Sequence, residues 1–316
     1  MDRPAAGPGR VLDSGPGTEG WNVGQMTSTG FDDDARLRPL AAGRGPLLER
    51  GGHVVYTARR LGELVSGRPP GVTGHQWNTA GRATLDVVVC DGATGRPVFA
   101  VEFTSPVATP EARREMRMRD AVSAAVGLEV LRIQSATLRP GPHGRRVAEY
   151  LIDARRYAAG LPEQDDPAAE QPVGFRDIVG RLPDGRDGPV NDLGAIARAA
   201  AVEAYVARQL VDPIVRGLHV RWTNGSTEGW AWVEVRPGRC LVERVLLWEH
   251  RFSCGVDAAR LAGDLAVTAI GERLRQLDTD EPDLVPRIDL GRDVDRLRSR
   301  RDEMAHGFDF DHLTFD

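Results

Sequence analysis

The chain has 316 residues, of which 41% are apolar, and a formal charge of −5 at pH 7. This length predicts one or two domains plus tails, and the acidic balance excludes a uniformly basic nucleic-acid binder, although not a local basic face. No apolar run approaches the roughly 18 residues that a membrane span requires, so we expect no membrane contact. All 41 basic residues are Arg and none is Lys, which excludes a catalytic lysine.

The composition changes four times along the chain. Residues 1–44 are rich in Gly and Pro without an apolar period, which predicts a disordered arm. Residues 45–160 predict an α/β domain, and residues 161–189 have the Pro and acid content of a linker. The pattern of residues 190–277 predicts an α+β domain of unknown role. Residues 278–316 contain twelve acids and six Arg, which predicts an acidic tail with one short helix.

In the first domain, residues 46–66 favour a helix that is broken at the glycine pair 51–52. Two strand-like runs, "TLDVVVCD" and "RPVFAVEFT", then flank a Gly-containing turn. A helix follows, with Thr109 as its N-cap and Pro110 at its first position. The strand "GLEVLRI" and another helix complete the domain. This strand–helix–strand order predicts an α/β layer with a partly parallel, mixed sheet.

The second domain predicts a helix, three strands and a closing helix. Its strands carry four of the six tryptophans, which favours an aromatic core, with base stacking as the alternative. These residues are Trp222, Trp230, Trp232 and Trp248.

The cysteines Cys90, Cys240 and Cys254 form no disulfide pattern, and the start of the chain does not have the form of a signal peptide. We therefore expect a cytoplasmic protein. Cys240, His250 and Cys254 are residue types that bind zinc, but their spacing fits no finger, so they are interpreted as strand or core residues.

Two carboxylates interrupt the apolar strands of the first domain, namely Asp86 and Glu102. A carboxylate inside a strand is costly unless a cation or several donors satisfy it. If the two strands pair, both side chains can converge on one divalent ion, for which Mg²⁺ or Mn²⁺ is suited to the oxygen ligands. A single acid facing solvent on each strand is the alternative.

The stretch "LDVVVCDGATGRPVFAVEFTSP", followed by "RREMRMRDAVSAAVGLEVLRI", resembles an uncharacterised bacterial family of the PD-(D/E)XK, or restriction-endonuclease-like, superfamily. The resemblance covers residues 46–160. It implies a mixed sheet flanked by helices and a metal-dependent nuclease site. Asp86 and Glu102 match the two acids of the motif, and "GLEVLRI" matches the closing strand. Glu49 is expected as an auxiliary acid on a helix.

The chain departs from this family's motif at several positions. Thr104 stands where the superfamily has a lysine and this branch an aspartate, and Arg119 replaces the lysine of the following helix. Arginine binds phosphate well but cannot transfer protons near neutral pH. The resemblance therefore supports the fold more strongly than the activity, with Thr104 as a weak third site position and Arg119 as a phosphate contact.

Ten Arg and six acids lie between Val107 and Gly160. This local excess slightly favours a solvated helix face with i,i+4 ion pairs, and contact with a phosphate backbone is the alternative. The candidate contacts are Arg113, Arg114, Arg117, Arg145 and Arg146. Two hypotheses follow: a Mg²⁺- or Mn²⁺-dependent nuclease or nuclease-like nucleic-acid-binding protein, or an inactive scaffold. A scaffold would bind protein partners through the acidic tail or the Trp-rich domain.

Overall fold

The computed structural model describes residues 37–40, 45–106, 109–160, 179–181, 187–189, 193–250, 252, 258–277 and 283–305. Nearly all of the predicted arm, most of the predicted linker, the last residues of the acidic tail and Cys254 lie outside these ranges. Within them, no helix is long and apolar enough to cross a membrane.

The described strands fall into a large mixed sheet and a small pair. Their bounds are β1 (Leu48–Arg50), β2 (His53–Arg60), β3 (Thr84–Asp91), β4 (Pro97–Thr104), β5 (Glu129–Ser135), β6 (Val179–Arg181), β7 (Asp187–Pro189), β8 (Arg216–Arg221), β9 (Ser226–Arg236), β10 (Arg239–His250) and β11 (Val285–Pro286). The large sheet has the order β1-β2-β3-β4-β5-β10-β9-β8, with β11 beside β10, and β6 pairs with β7. The predicted α/β class and mixed sheet are confirmed.

Helices cover both faces of the large sheet. They are α1 (Leu61–Leu64), α2 (Gly74–Ala80), α3 (Pro110–Ala125), α4 (Pro140–Gly160), α5 (Ala195–Val206), α6 (Ala258–Leu274) and α7 (Arg287–Ser299). One face packs against α4, α5 and α6 in the largest apolar core. The opposite face has two smaller cores, one under α1, α2 and α3 and another under α7. The sheet between α3 and α7 on that face is the part that matters for the site.

The alternation of side chains along β3 and β4 explains why helices lie on both faces. Val87 and Val101 point into the α4 side, whereas Val88 and Ala100 point into the α3 side, because neighbouring residues of a strand face opposite ways. Strands buried on both faces are continuous apolar runs. Asp86 and Glu102 interrupt such runs, and both lie on the α3 side.

The strands of the two predicted domains belong to one sheet. β5 pairs with β4 in parallel and with β10 antiparallel, so that Arg132 of β5 lies opposite Trp248 of β10. The described residues belong to one compact unit. Nothing in the local pattern of either segment specifies this pairing, because it joins residues more than a hundred positions apart.

The helix predicted over residues 46–66 is wrong. This segment is the hairpin of β1 and β2, followed by the four-residue α1. Gly51 and Gly52 have φ of 56° and 81°, the left-handed conformation that a two-residue hairpin turn needs at both positions. The glycine pair is therefore a turn between two strands and not a break in a helix.

Candidate functional site

Asp86 and Glu102 lie side by side, as the sequence predicts. The antiparallel register of β3 and β4 places Val87 opposite Val101. Asp86 precedes Val87 and Glu102 follows Val101, so the two acids are the next residues across from each other. Oδ2 of Asp86 accepts a hydrogen bond of 2.7 Å from the Phe103 backbone N–H. The two carboxylates thus share the α3 face at the end of a hairpin.

Glu102 is held by two arginines. Its side chain is buried, and Oε1 accepts a 2.9 Å hydrogen bond from Nη1 of Arg119 on α3. Oε2 accepts from Nε of Arg132 at 2.8 Å and lies 2.7 Å from Nη2 of the same side chain. Both carboxylate oxygens are therefore engaged by guanidinium groups, which is how a buried charge becomes tolerable.

Arg132 extends the cluster to a second acid. Its Nη2 donates to Oδ1 of Asp120 at 2.9 Å, so that it joins Glu102 on β4 to Asp120 on α3. Burial lowers the pKa of Arg132, but the charges of Glu102 and Asp120 outweigh that effect and the net pKa is raised. We call Glu102, Arg119, Asp120 and Arg132 the ion network.

The donor set of the ion network does not fit a divalent metal ion. Metal ligands need free lone pairs, and those of Glu102 face two guanidiniums that carry the same charge sign as the ion. No group of three or more His, Cys, Asp or Glu side chains in the described ranges is arranged to hold a metal. Of the two predicted metal ligands, Asp86 and Glu102, only Asp86 has a carboxylate that forms no ion pair with a described Arg or His.

Asp86 and Thr104 occupy less polar positions. Burial raises the pKa of Asp86; the Phe103 N–H hydrogen bond opposes this shift and the charge of Glu102 adds to it. Oγ1 of Thr104 is buried and has no hydrogen-bond partner within the described part of the chain. Thr104 lies opposite Gln134 in the parallel pairing of β4 with β5. Neither residue takes part in the ion network.

Glu49 lies away from this cluster. It is exposed on the edge strand β1, opposite Val54, which in turn is opposite Cys90. Cys90 is four residues along β3 from Asp86, so the strand spacings put Glu49 roughly 15 Å from that carboxylate. Its prediction as a helix-borne auxiliary acid is wrong in the element, because the residue is on a strand.

A groove lies beside the ion network, between α3 and the turn that joins β8 to β9. Its volume is about 600 Å³, within the range of sites for small molecules and single nucleotides. Gly225, with φ of 85°, closes the turn that forms one wall. The lining residues are Arg113, Met116, Arg117, Asp120, Arg132, Gln134, Asn224, Gly225, Trp248 and Glu249.

The structure separates the predicted nucleic-acid contacts into two groups. Arg113 and Arg117 line the groove, and within the described ranges neither forms an ion pair with a carboxylate. Arg114 is exposed on α3 but does not line the groove. Arg145 and Arg146 are on α4, which covers the opposite face, and Arg145 pairs with Glu149 at 3.0 Å. A single ligand surface therefore contains Arg113 and Arg117 but not Arg145 and Arg146.

The four strand tryptophans also divide into two groups. Trp222, Trp230 and Trp232 are buried in the core under α7, as the sequence favours. Trp248 is 37% exposed and lines the groove. Cys240 is buried, in agreement with its interpretation as a core residue, whereas the side chain of His250 and Cys254 lie outside the described residues.

Sequence reasoning missed Arg132 and the groove. The signal for Arg132 was available, because an Arg inside the apolar strand "GLEVLRI" needs an acidic partner when that strand is buried. The groove had no local signal, since its lining comes from α3, β5, β10 and the β8–β9 turn.

Comparison with protein-family models, with curated proteins and with solved structures finds no match for this chain. What the chain binds is therefore inferred from the groove and the ion network.

Proposed function

We propose that this chain is a nuclease-like nucleic-acid-binding protein whose groove holds the phosphate backbone without cleaving it. The observation that carries the proposal is the position of Arg113 and Arg117. Both residues line the groove, and no described carboxylate neutralises either one by an ion pair. Exposed arginines on one face of a helix are suited to phosphate oxygens, which accept two N–H groups from one guanidinium.

The topology beside the groove supports the nuclease-like part of the proposal. Three antiparallel strands, β2, β3 and β4, lead into α3, which returns the chain to β5 in parallel with β4. The part of this order from β3 to β5 is the strand, strand, helix and strand that the resemblance to the PD-(D/E)XK superfamily implies. Asp86 and Glu102 lie at the positions of the two acids in that motif.

The ion network favours binding over hydrolysis. In a metal-dependent nuclease the second acid would hold the ion, but here both oxygens of Glu102 accept hydrogen bonds from Arg119 and Arg132. Displacing two guanidiniums from a buried carboxylate is costly. We therefore assign the network a structural role, in which it fixes α3 and hence Arg113 and Arg117 against the sheet.

Binding can be measured by fluorescence anisotropy of labelled DNA and RNA over a range of salt concentrations. We expect Arg113→Ala/Arg117→Ala to weaken binding and to reduce the slope of log affinity against log salt. The reduction is about 0.7 per lost contact for single strands and about 0.9 for duplexes. The control Arg114→Ala/Arg145→Ala removes the same charge outside the groove and should leave the slope nearly unchanged. Equal losses in both variants would contradict a role for the groove.

A cleavage assay tests the other functions. Labelled substrates are incubated with Mg²⁺ or Mn²⁺, beside Glu102→Gln, which keeps the shape of the side chain. Products that depend on the metal and disappear in the variant would make the protein a nuclease and overturn the binding-only proposal. The absence of both binding and cleavage would instead favour the scaffold hypothesis, in which the acidic tail or the Trp-rich domain binds protein partners.

A further inference from the structure

We infer that the groove selects single-stranded nucleic acid, with one base stacked on Trp248 and the adjoining phosphates on Arg113 and Arg117. The inference rests on the proposed function and adds the class of ligand to it. A nucleotide has a flat, weakly polar ring and an anionic group, and the groove presents a matching surface for each.

Trp248 is exposed at a place where an aromatic residue would ordinarily be covered. It lies in the interior of the sheet on β10, directly opposite Arg132 of β5 and Ser226 of β9. Its 37% exposure contrasts with at most 6% for Trp222, Trp230 and Trp232 on the same side of the sheet. Those three pack in the core under α7, whereas Trp248 lines the groove between α3 and the β8–β9 turn.

The arginines and the indole reach the same space from different elements. Trp248 lies on the floor of the groove, and Arg113 and Arg117 line it from α3. Because Arg113 and Arg117 are four positions apart, they project from the same face of the helix. A base on the indole can therefore have its backbone phosphates along α3. Stacking of bases on exposed aromatics beside a basic groove is the usual arrangement for single-strand binding.

Two amide side chains can read the edge of a stacked base. Gln134 lines the groove, and its side-chain amide has no hydrogen-bond partner in the described ranges. Oδ1 of Asn224 accepts from the backbone N–H and the hydroxyl of Ser226, at 2.9 and 2.7 Å. These bonds orient the Asn224 amide so that its NH₂ group is a donor. Carboxamides bind base edges through paired donor and acceptor atoms.

The size of the groove and the nature of stacking both argue against a duplex. A volume of about 600 Å³ accommodates one or two nucleotides. In a duplex the ring faces are covered by neighbouring base pairs, so a base reaches an indole only after it leaves the stack. A free nucleotide has the same base and phosphate as a strand, but it offers fewer phosphates to Arg113 and Arg117. The expected order of affinity is therefore single strand, then duplex and free nucleotide.

The test compares oligothymidylate, the same strand with abasic sites, a duplex of equal length and thymidine monophosphate. We expect Trp248→Ala to weaken binding of oligothymidylate by about 5- to 150-fold, as alanine substitution does at other stacking positions. Trp248→Phe should recover most of the affinity because it keeps an aromatic face. Tyr205→Ala is the control for loss of an exposed aromatic, since Tyr205 is 46% exposed on α5 and does not line the groove.

The abasic strand gives a second readout on the unchanged protein. It should bind the wild type more weakly than oligothymidylate, and it should not distinguish the wild type from Trp248→Ala. Indole fluorescence quenched by oligothymidylate, with the quenching lost in Trp248→Phe, would place the base at Trp248.

Several results would overturn the inference. They are equal binding of the intact and abasic strands, unchanged affinity in Trp248→Ala, preference for the duplex, or equally tight binding of the monophosphate. Each of these leaves binding through Arg113 and Arg117 standing. Failure of every nucleic acid to bind the wild type would instead contradict the proposed function itself.

Discussion

Two sets of arginines on and beside α3 have opposite surroundings. Arg119 and Arg132 face carboxylates, and both donate to the buried Glu102. Arg113 and Arg117, which lie within two turns of Arg119, line an open groove without a described acidic partner. On α3, Arg119 thus holds the helix to the sheet, whereas Arg113 and Arg117, nearer the N-terminus of the helix, remain available to a ligand.

Burial accounts for the difference. The Arg132 side chain is 4% exposed, so its charge is tolerable only beside Glu102 and Asp120. Arg113 and Arg117 are exposed, and water can solvate their charges until an anion arrives. Glu102, which the motif predicts as a metal ligand, is therefore buried, whereas Arg113 and Arg117, which are predicted as accessory contacts, are exposed.

The largest expected effect is that of breaking the ion network at its centre. Arg132→Leu leaves Glu102 with Arg119 alone and removes the partner of Asp120. Because the buried carboxylate of Glu102 then lacks its main cationic partner, we expect the free energy of unfolding to fall by about 3–5 kcal/mol. Urea denaturation followed by tryptophan fluorescence measures the change. A loss below about 1 kcal/mol would mean that water readily replaces the guanidinium.

A smaller loss is expected at the edge of the network. Arg119→Ala removes one charged hydrogen bond but leaves Arg132 on Glu102, so we expect a loss of about 1.5–3 kcal/mol. The control Arg145→Ala breaks the exposed pair with Glu149 and should cost at most about 0.5 kcal/mol. If both variants lose the same amount, burial does not distinguish the two arginines.

Asp86→Asn should slightly raise the free energy of unfolding at neutral pH, in contrast to the two preceding variants. Burial raises the pKa of Asp86, so the folded state disfavours its charged form. Asn is neutral and keeps an oxygen for the Phe103 N–H. The favourable linkage of Asp86 is complete below the ordinary aspartate pKa and is lost as the pH rises through the raised folded value. The stabilisation by Asn should therefore develop as the pH rises from the ordinary aspartate pKa through the raised pKa of folded Asp86, and it should be absent at lower pH. Urea unfolding at several pH values measures this change.

The smallest change in stability is expected in the groove. Arg113→Ala/Arg117→Ala should alter the free energy of unfolding by no more than about 0.5 kcal/mol, as is usual for exposed side chains without fixed partners. The same variant should lose nucleic-acid affinity. Thermal and urea unfolding of this protein beside the wild type would sharpen the contrast with Arg132→Leu, and a large destabilisation would show that these arginines also support the fold.

Local patterns were sufficient for the core elements of the first segment. Apolar runs bounded by turn residues predicted β3 and β4 to within one residue, and Thr109 with Pro110 marked the start of α3, where the Thr109 hydroxyl accepts from Ala112 N–H at 3.2 Å. These features depend on neighbours in the chain. The pattern of residues 46–66 predicts a helix where the structure has the hairpin of β1 and β2, because the apolar residues are few and the glycine pair fits either interpretation.

The site was less accessible from the sequence because it depends on distant contacts. The convergence of Asp86 and Glu102 follows from a hairpin and was predicted, but the engagement of Glu102 by Arg132 depends on the parallel pairing of β4 with β5. Trp248 belongs to a different predicted domain from Arg113. Only the pairing of β5 with β10 brings the two into one groove.

That pairing has a practical consequence for shortened versions of the protein. β5 is an interior strand of seven residues with Val130, Leu131 and Ile133 buried. A fragment that ended near residue 160 would lack β10 and leave the backbone N–H and C=O groups of β5 open along one side. The open edge of an apolar strand can pair with a strand of another chain. Such a fragment should self-associate, and binding experiments belong on the whole chain.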